Sequence, residues 1–287
     1  MGKVRQSWEG CKRLLSSGRR AHNPTVMEKP RPFLIAETNW KQVRGTAYEL
    51  AVLPWGATEA HNYHLPYATD NIQLDAIAAA AGEIAWSRGT KVAVLPCVPF
   101  GVNTGQIDIP FCLNMSPSTQ SIVLADIIAS LSEQGVPKLS VLNGHGGNNF
   151  RQQLRELQLQ FPEIFLTVVD WYRVLDLGDY FEDPGDHADE LETSLMMHIA
   201  PELCLPLSEA GDGSGNPSRL TAVREGWAWA QRHWSKATND TGSGNPALAT
   251  AGKGERFLDA LAEKLAGFWI ELAAVDPSDL YEPPTAG

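Results

Sequence analysis

One feature limits what this chain can fold into: four short apolar runs alternate with stretches of helical periodicity. The runs are ELAVLP (49–54), KVAVLP (91–96), KLSVLN (138–143) and IFLTVV (164–169). Each is bounded by turn residues and reads as a buried strand. Between them, residues 71–87 are alanine-rich with apolar residues at helical spacing. A second helix is expected after Ser116 or Ser118, with a stop at Gly135, and a third over about 150–159. Strands alternating with helices predict a three-layer α/β/α fold with a mostly parallel central sheet. In such sheets ligands bind at the carboxyl ends of the strands. After residue 205 the pattern weakens into loop-rich sequence until a final amphipathic helix, expected over about 253–272.

Bulk properties narrow the function classes. The 287 residues are 43% hydrophobic and 20% charged, enough for one sizeable core. A net charge of −11 argues against general binding to nucleic acid or anionic membrane. No apolar run reaches the roughly 18 residues that span a bilayer. Cys11, Cys97, Cys112 and Cys204 form no CxxC pair, so reduced thiols and a cytoplasmic location are expected rather than a disulfide framework. The first 26 residues carry a net +5, which leaves −16 for the remainder. They contain no apolar signal core. The expected organisation is a basic, flexible arm over 1–28 and a single catalytic domain over 29–287.

Three segments at strand-to-helix transitions carry chemistry. In VLPWGATEAHNYHLPYATDN (52–71), Glu59, His61, His64 and Asp70 interrupt an apolar context. Residues i and i+2 of an extended segment point the same way, so Glu59 and His61 can address one centre or two adjacent ones. Carboxylate and imidazole suit Zn, Mn or Fe. The alternative is ordinary loop polars, with Asp70 capping the next helix. In NGHGGNN (143–149), glycines on both sides of His145 allow close approach, or form an anion-binding turn. In DHADELETS (186–194), His187, Asp189, Glu190 and Glu192 precede an apolar helix, whose N-terminus acids also favour electrostatically.

Other chemistries have less support. There is no G-x-S-x-G elbow, and Ser194 is expected inside a helix. The glycine-rich loop lacks the GK[ST] ending of a phosphate-binding loop. No cysteine lies near a histidine in sequence, and paired glycosidase carboxylates cannot be judged from spacing. Trp171 and Tyr172, after the fourth strand, read either as core packing or as a substrate-facing wall. The loop over 97–117 is longer than a simple connection needs.

Taken together, the motifs resemble the creatininase (creatinine amidohydrolase) family. LPWGATEAHNYHLPYATD is similar to its L-P-x-G-x-x-E-x-H-x-x-H-L-P-x-x-T-D signature. LNGHGGN resembles its N-G-H-G-G-N loop, DHADELETSLM its H-A-G-E-x-E-T-S helix start, and GSGNPALATAGKGE its late G-x-P-x-x-A-x-x-x-K-G segment. The resemblance implies a metal-dependent hydrolase, often a homohexamer, with two divalent ions and a metal-bridged hydroxide attacking a small cyclic or linear amide. Glu59, Asp70 and His145 would hold one ion. His61 and Asp70 would hold the other, and His187 would shuttle the proton.

This sequence departs from the family at Gly147, where creatininase itself has a glutamate that binds the second ion. Glu192 is the expected replacement, with Glu190 second in line and otherwise a substrate contact beside Trp171 and Tyr172. Asn62 and Asp189 replace glycines usual in the family and are expected to reshape the pocket. A polar residue at Asn62 would also suit a sugar-like ligand. Ring-opening C–C hydrolysis of an inosose, formamide hydrolysis and a catalytically inactive small-molecule binder are the alternatives.

Overall fold

The computed structural model describes residues 30–282. The expected basic arm over 1–28 lies outside them. The described residues from Pro32 onward belong to one compact unit. Four parallel strands, β1 (Leu50–Trp55), β2 (Val92–Val94), β3 (Lys138–Asn143) and β4 (Phe165–Asp170), form one sheet in the order β2-β1-β3-β4. All six residues of β1 and of β3 are buried, as the central strands of a doubly covered sheet must be.

The period-two alternation of side chains divides the core between two layers. Leu50 and Val52 of β1 pack with α1 (Thr69–Ser87), α4 (Glu190–Ile199) and α5 (Ala251–Ala274). Ala51, Leu53 and Trp55 pack on the opposite face with α2 (Pro117–Glu133) and α3 (Phe150–Gln160). The expected three-layer α/β/α fold is therefore present. Among the described residues no helix is long and apolar enough to cross a membrane, and Cys97, Cys112 and Cys204 are free thiols.

The elements lie within two residues of their expected bounds, and one shift matters. α1 begins at Thr69, not 71, because Thr69 turns the chain back onto Pro66 through both its backbone N–H (3.1 Å) and its hydroxyl (2.7 Å). Asp70 thus lies inside the first turn, and the residue before the helix, Ala68, makes no side-chain cap. The capping alternative for Asp70 falls, and its carboxylate is left for another role.

The strand order creates a crevice. From β1 the chain leaves through α1 toward β2, whereas from β3 it leaves through α3 toward β4. The carboxyl ends of the neighbouring strands β1 and β3 consequently feed loops that diverge. The connection from 95 to 116 does not run straight to α2. It crosses the end of β1, with bridges from Thr58 to Leu113 and from Gly101 to Asn114.

Candidate metal centre

The loop after β1 brings Glu59 and His61, α1 brings Asp70, the loop after β3 brings His145, and α4 brings Glu192. All except Glu192 are at least nine-tenths buried. His145 Nδ1 lies 2.9 Å from Glu59 Oε1 and 3.3 Å from Asp70 Oδ2. His61 Nε2 lies 2.9 Å from Asp70 Oδ1 and 3.9 Å from Glu192 Oε2. Two groups with ligand atoms mutually within 4.8 Å result: Glu59, Asp70 and His145, and His61, Asp70 and Glu192. A third joins Glu59, His61 and His187.

Each histidine has one ring nitrogen committed to a backbone carbonyl. His61 Nδ1 donates to Glu59 O (3.1 Å), His145 Nε2 to Val102 O (3.1 Å) and His187 Nε2 to Ala60 O (2.8 Å). A carbonyl only accepts, so the proton is fixed on that nitrogen and the other nitrogen turns inward. Metal-ligating histidines are oriented in this way. Asp70 Oδ2 is a buried acceptor with no hydrogen bond, and a divalent ion between it and His145 would satisfy it. The donor set, three carboxylates and two imidazoles around one point, fits divalent Zn, Mn or Fe.

The electrostatics follow from this crowding. Burial opposes ionisation throughout, yet the imidazoles of His61 and His145 hold Asp70 well below the usual carboxylate range, and His145 with His187 keeps Glu59 low. In turn, burial alone would lower His61, but Asp70, Glu192 and Glu59 lift it to about 10, and His145 rises well above its ordinary value beside Glu59 and Asp70. Glu192 goes the other way. Burial pushes its carboxyl up to about 8, with His61 opposing. His187 is lowered, first by burial and then by His61.

The remaining expected site residues separate into two sets. Trp171, Tyr172 and Asp189 line a cavity of about 120 Å³ over the cluster, together with Leu177 and Leu191. Trp171 also packs edge-on against Tyr172 and Phe257, so its two expected readings, core and wall, hold together. Glu190 is not brought to the cluster. It is fully buried, with one oxygen accepting from the Asp183 N–H (2.7 Å) and the other paired with Lys253. No oxygen is left for an ion or a substrate.

Asn62 is also redirected. Its φ of 54° lies in the left-handed region, which explains a glycine preference there and asparagine as the tolerated exception. Its amide oxygen accepts from the N–H groups of Tyr63 (2.6 Å) and Gly211 (2.8 Å), and its NH₂ donates to Gly211 O (3.1 Å). Asn62 fastens the metal-site loop to residue 211, and the argument for a sugar-like ligand loses its residue. Asp189 caps α4 by accepting from Glu192 N–H (3.0 Å), and the Glu192 side chain is held by Ala188 N–H, which donates to its Oε2 at 2.6 Å. At Gly147 a Cβ would meet Val102 O at 2.2 Å, so the 95–116 loop excludes a glutamate there. The other histidine of the first motif, His64, points away and bonds Thr193 Oγ1 at 2.9 Å.

Several contributors are not among the acid and histidine residues that the three motifs single out. Gln106 donates to Glu59 Oε2 and is itself held by Cys112, whose thiol donates to Gln106 Oε1 at 3.2 Å. Asn148 ties the glycine-rich loop down through Asn143 Oδ1 (3.0 Å) and Val102 N–H (3.0 Å). Trp234 stacks against the His187 ring, 4.9 Å between centroids. The length of the 97–117 loop was the only available hint of Gln106 and Cys112.

Residues 36–269 match the creatininase family, described as creatinine amidohydrolase. A crystal structure of a Bacteroides fragilis protein, named for creatinine amidohydrolase, superposes with a TM-score of 0.83 at 45% identity, covering 88% of this chain and 100% of that one. A mycofactocin precursor peptide peptidase of Mycolicibacterium smegmatis is 27% identical over 72% of this chain and 79% of its own length. A 3-dehydro-scyllo-inosose hydrolase of Thermotoga maritima is 26% identical over 61% of this chain and 59% of its own. Creatininase structures at 20% identity, one a Zn–Zn type and one a manganese form, share the fold with TM-scores of 0.68 and 0.69. They cover 86% and 85% of this chain and all of their own. The four ordered motifs, the α/β/α fold and the match over 36–269 make this chain a member of the creatininase family and a hydrolase.

Proposed function

We propose that the chain is a dinuclear metal-dependent hydrolase that cleaves the C–N bond of a small cyclic or linear amide. One observation carries the reading: Asp70 presents its two oxygens to two different ligand sets, Oδ1 at 2.9 Å from His61 and Oδ2 at 3.3 Å from His145. Glu59, Asp70 and His145 would hold one ion, and His61, Asp70 and Glu192 the other, with Asp70 common to both sets. When bound, such an ion pair supplies Lewis acidity that acidifies water and polarises an amide carbonyl. Relatives named for peptide and creatinine hydrolysis support an amide as the bond.

The protein's own groups do the rest. His187 keeps its Nε2 proton on Ala60 O, so Nδ1 faces the cluster as an acceptor, 3.8 Å from Glu59 Oε1. It takes the proton of the attacking water and delivers it to the departing nitrogen. His61 (4.2 Å between centroids) and Trp234 hold its ring in place. Trp171 and Tyr172 wall the cavity and limit water. The family's homohexamer extends the reading. Phe111, Trp227 and Trp229 expose 82%, 75% and 83% of their surfaces, apolar area of the kind that subunit contacts cover.

Elemental analysis of the purified chain tests the centre. About two divalent ions per chain, reduced in both His61→Ala and Glu192→Ala, is the expected result. Loss in His61→Ala alone would remove Glu192 from the ligand set. No metal after reconstitution with Mn or Zn would overturn the hydrolytic reading. Native mass spectrometry of the same sample reports the hexamer.

A further inference from the structure

The cluster opens on a second side. A cavity of about 190 Å³ lies against Glu59, His145 and His187, and its remaining wall is unlike that of the aromatic chamber. Asn103, Gln106, Gln231, Arg232 and Trp234 line it, in place of Trp171, Tyr172, Leu177 and Leu191. These residues come from the 95–116 loop and the 231–234 segment, outside every motif of the sequence. His187 belongs to both walls.

Arg232 is the single arginine or lysine among the described residues lining this cavity. Its guanidinium carbon lies 4.8 Å over the Trp234 ring, and that ring's centroid lies 4.9 Å from that of His187. One nitrogen, Nη1, pairs with Asp186 Oδ2 at 2.9 Å. Both partners of that pair are about half exposed, so it is weak and exchangeable. The planar fork has further donors, and its geometry matches a carboxylate. Around it the site presents carboxylates, in a chain of net charge −11, so Arg232 is the fixed side-chain cation against which an anionic group can settle in this cavity.

Hydrolysis of a linear amide divides its substrate into an acyl and an amine part, and the cluster is flanked by two cavities with different linings. We infer that the 190 Å³ cavity is a second substrate subsite that takes the half carrying a carboxylate, with Arg232 as its anchor. Asp186 is displaced when that carboxylate binds. The aromatic chamber takes the other, uncharged half. This assignment rests on the dinuclear reading above.

The test uses hydroxamic acids, which chelate divalent ions, as probes on Mn- or Zn-loaded protein in titration calorimetry. The probes are the monohydroxamates of succinic, glutaric and adipic acid, each beside its uncharged alkyl counterpart. At one chain length the carboxylated probe is expected to bind at least tenfold more tightly than its counterpart. Arg232→Gln should erase that preference while still binding the alkyl hydroxamate, which also shows that the variant is folded. Arg232→Lys should keep part of it. Equal binding of charged and uncharged probes at all three lengths, or a preference that survives Arg232→Gln, would overturn the subsite alone. Failure of every hydroxamate to bind the loaded wild-type protein would overturn the metal-centre reading, and the subsite with it.

Discussion

Gln106 donates its side-chain amide to Glu59 Oε2, the carboxylate oxygen that does not face His145. The amide cannot rotate freely, because Cys112 donates its thiol to Gln106 Oε1, and Ala60 N–H donates to the same sulfur, both at 3.2 Å. The pair commits one Glu59 oxygen to the protein and leaves the other facing His145 in the cluster. Gln106→Leu should therefore weaken metal binding by about 10- to 100-fold, read by chelator competition. Gln106→Glu, which places a carboxylate against Glu59, should weaken it further. Unchanged affinity in both variants would show that Glu59 orients itself.

His187 is a different kind of residue, since it faces the cluster without being needed to hold it. His187→Ala should keep its metal content and lose rate by about 10²- to 10⁴-fold. Added imidazole should restore part of the loss, because the cavity between His61 and Trp234 would then be vacant. A variant with full rate would remove the proton shuttle from the mechanism.

The sheet and the gathering of the acid and histidine side chains were legible in the sequence for physical reasons. β1 and β3 are covered on both faces, so their apolar runs are continuous and their ends mark the strand termini. Glu59, His61, Asp70 and His145 follow those ends, where a polar residue has few structural duties, and Glu192 comes from the first turn of α4. Glu190 and Asn62 misled because composition does not tell direction. In α4 the helical turn swings Glu190 toward Lys253 of α5 and Glu192 toward His61. Gln106 and Cys112 had no sign but the length of their loop, and Arg232 and Trp234 had none. They reach the site through irregular backbone, which has no period from which a facing side can be inferred.

Proton competition sets the pH dependence of metal binding. Below about pH 8 the Glu192 carboxyl carries a proton in the metal-stripped protein, and below about pH 10 so does His61. Both must lose it to ligate. Between pH 7 and 6 the affinity of the site formed with Asp70 should thus fall with two protons, by about 100-fold per pH unit. Calorimetry in buffers of different ionisation enthalpy counts the protons released. In Glu192→Gln the slope should drop to about tenfold per unit. A flat profile in wild-type protein would mean that these groups do not bind the ion.

The late motif, GSGNPALATAGKGE, contributes no ligand, and its last residues explain why it accompanies the site. Lys253 enters the side of α4 to pair with the fully buried Glu190, and also meets Glu182 and Leu248 O. Beside it, a Cβ at Gly254 would meet Ser194 O at 2.0 Å, so only glycine lets α5 lie this close to α4. The two residues fix the height of the helix from which Glu192 reaches the centre. Lys253→Met strands a buried carboxylate, and because water reaches the lysine end of the pair we expect a loss of about 2 kcal/mol, below the roughly 3–5 kcal/mol of a fully buried pair. In a chain of this size that is a fall in Tm of about 4–8 °C. Adding Glu190→Gln should recover most of it, since the neutral amide still accepts from Asp183 N–H and no longer needs a cation. Metal content should follow stability across the three proteins. A Lys253→Met protein with wild-type Tm but weakened metal binding would instead make Lys253 an electrostatic part of the centre.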